Sequence, residues 1–186
     1  MNVRQKNLEK LRQISVFAML GAIMFISKIV MEFLPNIHLL GALTVTYTLV
    51  YRWKALIPIY VYVFLNGLYA GFGIWWVPYL YIWTILWGIT MLLPRRMPAK
   101  ILFPVCVAIC SLHGLAFGVL YAPFQALAFG FSWEQTIAWI VAGLPFDATH
   151  AIGNFVAGFL IYPLSKALSK MERGFGANAG IVKSNK

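Results

Sequence analysis

Apolar residues fall in six long blocks, separated by short breaks that carry Pro, Gly or basic side chains. The first block runs from about Gln13 to Leu34 and stops at Pro35. The second runs from about Ile37 to Tyr51 and ends at Arg52-Trp53-Lys54. The third, Ala55 to Ala70, carries Pro58 in its first turn, where a missing N–H is tolerated. The fourth, Trp75 to Leu93, ends at Pro94-Arg95-Arg96-Met97-Pro98, and the fifth runs from Lys100 to Tyr121, with a linker from Ala122-Pro123 to Glu134. The sixth is composite. Residues Trp133 to Ala142 read as a short interfacial helix with Ser132 as N-cap, Gly143-Leu144-Pro145 breaks it, and Phe146 to Leu168 forms the last element.

A hydrocarbon core ~30 Å thick takes about 20 apolar residues per helix. The pattern therefore predicts an all-α bundle of six transmembrane helices. The second block is short, covering only ~22 Å at a rise of 1.5 Å per residue. The link from Leu34 to His38 is accordingly expected to dip into the membrane, sheltered by protein.

Composition agrees. Of 186 residues 61% are hydrophobic and 11% charged, against about a quarter charged in an ordinary soluble domain, and mean hydropathy is +0.79. This describes an integral membrane protein with a basic N-terminus (1–12), one membrane domain (13–170) and a flexible tail (171–186) rich in Gly, Asn and Ala. No soluble catalytic or nucleotide-binding domain fits in the remainder. The apolar run after Arg12 exceeds the roughly 7 to 15 residues of a signal-peptide core, so it reads as a retained first span. The two cysteines, Cys106 and Cys110, share one block at i, i+4 spacing, which does not make a disulfide framework.

Charge placement adds topology. Of the 15 Lys and Arg residues, all but Lys28 lie in four stretches: Arg4 to Arg12, Arg52 with Lys54, Arg95 to Lys100, and Lys166 to Lys186. Six spans put all four on one side, which the positive-inside rule makes cytoplasmic, together with both termini. The connections near Pro35, Phe72 and Pro123 hold no Lys or Arg. The net charge of +10 flanks apolar segments and lines no soluble face, so nucleic acid is not an expected partner. The expected location is a bacterial plasma membrane.

An ionisable group at the centre of a span costs about 2.5 to 3.5 kcal/mol, so each one needs a reason. Lys28 and Glu32 are one helical turn apart toward the outer end of the first block. Two readings stay open: an i, i+4 ion pair in which each neutralises the other, or the wall of an outward-facing pocket for a polar ligand. At the start of the last span Asp147, His150 and Asn154 share one helix face. They either cap and hydrogen-bond neighbouring helices or contribute to the same ligand site. Trp75 and Tyr79 belong to an aromatic stripe that includes Trp83 and offers stacking surfaces. Asn36, His38 and His113 complete the candidate substrate-binding set. A metal site from Asp147, His150 and His113 lacks any tighter motif, and neither metal nor cofactor is expected. Small residues four apart, such as Gly114 and Gly118, allow close helix approach; Ala18 and Ala22 do so beside the basic N-terminus, where a second membrane subunit can dock.

This assembly, with the Ala18-x-x-x-Ala22 stripe, resembles the substrate-binding S components of energy-coupling factor transporters over about residues 10 to 170. The resemblance implies a non-catalytic subunit of an ABC-type importer for a vitamin or vitamin-like micronutrient. It implies Ala18 and Ala22 as the contact with a transmembrane T subunit, Leu34 to Leu40 as part of a lid over the ligand, and two cytoplasmic ATPases as separate partners. The subunit would topple within the membrane to release its ligand. The competing readings are an intramembrane enzyme using Asp147, His150 and His113, although no nucleophile is paired with a base at a recognisable spacing, and a free-standing channel or stabilising subunit.

Overall fold

The computed structural model describes the backbone of residues 3–184 and the side chains of residues 3–174. Eight helices account for nearly all of it: α1 (Val3–Val30), α2 (Leu40–Tyr51), α3 (Leu56–Ala70), α4 (Tyr79–Met91), α5 (Ala99–Leu115), α6 (Phe117–Phe129), α7 (Trp133–Gly158) and α8 (Ile161–Ser184). Short 3-10 turns at Arg52–Ala55 and Ile74–Trp76 join α2 to α3 and lead into α4. Four helical stretches are long and apolar enough to cross a membrane, and α7 with the first part of α8, bent by 48°, makes a fifth. The chain is thus an all-helical, multi-pass membrane protein. Two of the four stretches contain breaks: the chain turns at Arg52, whose φ of 55° and ψ of −125° end α2, and α5 gives way to α6 at Ala116.

The bundle is organised around α2. Every residue from Leu40 to Thr48 is buried, because α4, α5, α7 and α8 all pack on it; a helix apolar on every side belongs at a centre. Two of its hydroxyls are satisfied within the bundle: Thr48 donates to the Thr44 carbonyl at 2.7 Å and Tyr47 to the Leu20 carbonyl of α1 at 3.2 Å. Outside this centre two close pairs form. In one, α1 lies along α3, with Gly21 against Val61 and the Pro58 carbonyl; a Cβ there would sit 2.5 Å from Val61 Cγ1 and 2.9 Å from that carbonyl. Gly21→Val is therefore expected to wedge the two helices apart and lower stability by about 1–3 kcal/mol. A thermal unfolding midpoint in detergent reads this, with the exposed neighbour Ile23→Val as the unchanged control.

The second pair is α7 against the continuous run of α5 and α6. Contacts descend in antiparallel order from Gly118 with Asp147, through Ser111 with Ala151 and Cys110 with Asn154, to Phe103 with Phe159. This packing corrects the expected break at Gly143-Leu144-Pro145: α7 is one helix of 26 residues with Pro145 inside it. A proline removes one backbone hydrogen bond, here the one to the Val141 carbonyl, which a helix packed in a membrane bundle tolerates; one turn on, the Thr149 hydroxyl donates to the Pro145 carbonyl at 3.0 Å. The real break comes at Phe159–Leu160. There Pro163 falls in the first turn of α8, where its missing N–H goes unneeded and its ring would oppose a helix continuing from Phe159.

Other boundaries shift similarly. The expected linker after Tyr121 is helical to Phe129, with Pro123 within α6. The first block stops being α-helical at Val30, and α2 begins only at Leu40. Ser132 caps α7 as expected, in a reciprocal pair with Gln135. The backbone is helical through Ser184, over the stretch from about residue 171 for which a flexible tail was expected.

The basic stretches gather at one end of the bundle. Arg12 pairs with Glu172, Tyr51 donates to the same carboxylate at 3.2 Å, Lys54 donates to Gln13 at 3.2 Å, and Arg52 donates to the Met91 carbonyl at 2.7 Å. These contacts join α1, the α2–α3 turn, the end of α4 and α8.

Candidate functional site

At the opposite end, between the tip of α1 and the middle of the bundle, lies a cavity of about 200 Å³. Seven of its eleven lining residues come from the link between α1 and α2, residues 31–38, so one segment forms most of the wall. That segment is built from turns: Leu34 N–H bonds the Met31 carbonyl, Ile37 N–H bonds the Leu34 carbonyl, and Asn36 takes a left-handed φ of 61°. Asparagine tolerates that region better than most residues. Ile37 then rests on α7 at Gly153, where a Cβ would lie 3.3 Å from its side chain.

Six of the ten sequence-derived ligand candidates line this cavity: Lys28, Glu32, Asn36, His38, Tyr79 and His150. They come from α1, the link, α4 and α7, elements far apart in sequence. Lys28 Nζ donates to Glu32 Oε1 at 3.2 Å and stands 5.8 Å from the centre of the Tyr69 ring. The ion pair and the pocket wall are therefore the same two residues, and the alternatives posed by the sequence are compatible. The pair sits at the rim, with the Glu32 side chain 52% exposed. Its mutual neutralisation leaves the interior without a free formal charge from either group.

Beneath the rim the walls are aromatic. The His38 and His150 rings meet edge to face at 4.6 Å, and His150 lies 4.8 Å from Phe117. Trp83, almost fully buried, touches His38, Tyr62, Tyr79, His113 and Phe117 within 5.7–6.2 Å. Several polar atoms of this cluster are buried with no hydrogen-bond partner: His38 Nδ1, His113 Nδ1, His150 Nε2, Trp83 Nε1, Tyr62 Oη and, one turn from Tyr62, Asn66 Oδ1. An unpaired buried donor or acceptor costs about 1–3 kcal/mol; of these residues His38 and His150 line the cavity itself, where they offer hydrogen-bonding atoms to a bound group.

The other four candidates do different work. Both oxygens of Asp147 accept from the Gly118 N–H at 3.1 Å, bridging the start of α6 to α7. Asn154 Nδ2 donates to the Cys110 carbonyl at 3.1 Å. These are helix-to-helix pins, the first of the two readings given to that face. His113 faces the Ile82 carbonyl through Nε2 at 3.1 Å and packs against Trp83, outside the cavity lining. Trp75 packs edge-on against Tyr79 at 5.7 Å, and its carbonyl accepts from Tyr121, outside the cavity wall. Among the described residues no group of three or more His, Cys, Asp or Glu is placed to hold a metal ion.

Phe117 and Tyr62 were not anticipated. Phe117 stands one turn after His113, a spacing that puts an aromatic ring beside a buried histidine, and Tyr62 stands one turn before Asn66; both pairs were visible in the sequence. Trp76 and Trp87 join neighbouring elements, donating to the Val63 carbonyl at 2.8 Å and the Arg52 carbonyl at 3.1 Å.

On the outer surface Ala18 is exposed and Ala22 half-buried. Ala18 lines a shallow groove of about 300 Å³ between α1 and α3, with Ile14, Phe17, Ile57 and Val61. No protein-family profile matches the chain, and neither a curated protein nor a solved structure matches it.

Proposed function

We propose that this chain is the substrate-binding S component of an energy-coupling factor importer, taking up a vitamin or vitamin-like micronutrient. The observation that carries the reading is the convergence of Lys28, Glu32, Asn36, His38, Tyr79 and His150 on one cavity at the end opposite the basic residues. In this reading the chain crosses the membrane six times, as α1, α2, α3, α4, α5 with α6, and α7 with α8. Support comes from residues at the two ends: Arg12, Tyr51 and Glu172 meet at the basic end, and Lys28, Tyr69, Tyr79, Phe117 and His150 lie at the other, so that α1 and the α7–α8 pair are each marked at both. The basic end then faces the cytoplasm by the positive-inside rule, and the cavity faces outward.

Ligand enters from outside under the 31–38 segment. Tyr79, Phe117 and His150 offer faces for a flat ring, and the unpaired Nδ1 of His38 and Nε2 of His150 supply hydrogen-bonding positions in the cavity wall. With Lys28 and Glu32 paired and Asp147 engaged at Gly118, the interior favours a neutral heterocycle with a polar edge. The volume admits one or two fused rings. Transport then needs a T subunit and two ATPases, and a docking surface that binds its partner differently in two states, since equal affinity shifts nothing.

Native mass spectrometry of gently purified protein tests the reading through the mass of any co-purified small molecule. One bound heterocycle per chain is expected, released when His38 and His150 are both changed to Ala. Loss of two hydrogen bonds and a stacking face corresponds to a drop in affinity of about 10- to 100-fold. Undiminished retention in the double variant would remove the cavity from the assignment.

A further inference from the structure

We propose that the basic end carries a second site, which binds the phosphodiester headgroup of an anionic phospholipid. A cavity of about 480 Å³ opens there between α1, the α2–α3 turn, the α4–α5 connection and α8. Arg52, Lys54, Arg95 and Arg173 line it, while its inner wall is apolar, formed by Val16, Phe17 and Val50. The carboxylate in the lining, Glu172, already accepts from Arg12 and Tyr51, so it does not neutralise the other cations.

Arg52 is set in place before any ligand arrives. Its Nη2 donates to the Met91 carbonyl at 2.7 Å, its own carbonyl accepts from Trp87, and its backbone holds a φ of 55° that non-glycine residues rarely adopt. Its Nε is buried and has no partner, a planar donor waiting for an acceptor. Lys54 spends one of its three donors on Gln13, and Arg95 and Arg173 stand exposed.

Depth separates a lipid from a free anion. Trp53, between Arg52 and Lys54, is 63% exposed, as a tryptophan at the membrane–water boundary is expected to be. A cavity at that level, basic at its mouth and apolar within, matches a phosphate with its glycerol and the start of an acyl chain. Basic pockets between helices on the cytoplasmic side recognise such headgroups. An inorganic phosphate would use the cations and leave the Val16, Phe17 and Val50 wall without a partner.

The test uses the full chain in a neutral detergent, delipidated and followed by native mass spectrometry. Dioleoyl phosphatidylglycerol, dioleoyl phosphatidylcholine and inorganic phosphate are added separately. Phosphatidylglycerol is expected to bind one per chain at about ten-fold lower concentration than phosphatidylcholine, and Arg95→Gln with Arg173→Gln to erase that preference. Those two exposed positions keep the fold intact, and Arg52→Gln extends the series where it folds. Equal binding of the two lipids, or a preference unchanged in the double variant, overturns the proposal. Competition by inorganic phosphate at the same concentrations makes a free anion the ligand and overturns the lipid assignment. If the double variant keeps its lipid preference but loses a co-purifying protein, the cavity is a protein contact and the proposal fails.

Discussion

Ala18→Trp and Ala22→Trp should abolish uptake in cells while leaving ligand binding by the purified protein within about two-fold. Ala18 is exposed and lines the groove between α1 and α3, so a larger side chain there points away from the core. The inward-facing neighbour is Gly21, which lies against Val61. Small side chains on a lipid-facing surface let a partner helix approach to backbone distance, where packing replaces the hydrophobic drive that lipid does not supply. An indole at this spot holds the partner off by several ångströms. The proposed ligand cavity is walled by Lys28, the 31–38 segment, Tyr79, Phe117 and His150, none of them in this groove. Normal uptake in both variants would refute the docking role. Loss of binding together with uptake would place the defect in the fold instead.

The sequence made the membrane legible because the bilayer imposes so simple a rule. Blocks of apolar residues bounded by Arg52-Trp53-Lys54 and Pro94-Arg95-Arg96 need no tertiary information to be read as helices with basic ends, and the structure brings those ends together. Proline positions were not legible. Pro123 and Pro145 both read as breaks, yet both lie inside helices, because α6 and α7 support one another along their length. Whether a proline ends a membrane helix depends on what neighbouring helices offer the freed carbonyl, and one sequence does not contain that. The break that does occur, at Phe159–Leu160, was hidden in an apolar run that looked continuous.

The site was legible as a collection of polar residues and illegible as a division of labour. Lys28, Glu32 and His150 stand out in the sequence because a charge or imidazole in a span needs a partner, and that argument leads to the cavity. The same argument applied equally to Asp147 and Asn154, which turn out to satisfy a backbone N–H and a backbone carbonyl. A polar side chain that serves the helix opposite and one that faces a cavity have the same sequence signature. Aromatic walls are harder still. Phe117 and Tyr62 carry no signal beyond spacing, since in a chain with 14 Phe and 9 Tyr most rings only fill space.

Asp147 offers the clearest separation between these roles. Asp147→Ala should lower stability by about 2–3 kcal/mol, because it strands the Gly118 N–H at the junction of α5 and α6, away from water. Asp147→Asn should cost far less, since the amide keeps a carbonyl oxygen within reach of that N–H. Thermal unfolding in detergent gives the first comparison. Ligand binding gives the second, with the asparagine variant expected to bind as the parent protein does. The two measurements divide the possibilities because they respond to different properties of the side chain. A pin needs an acceptor and is indifferent to formal charge, whereas a ligand contact or an acid–base catalyst needs the carboxylate itself. If Asp147→Asn folds normally yet loses ligand, the carboxylate faces the ligand in the working state. The interior would then carry a formal charge, and a cationic ligand would replace the neutral heterocycle inferred from the paired Lys28 and Glu32.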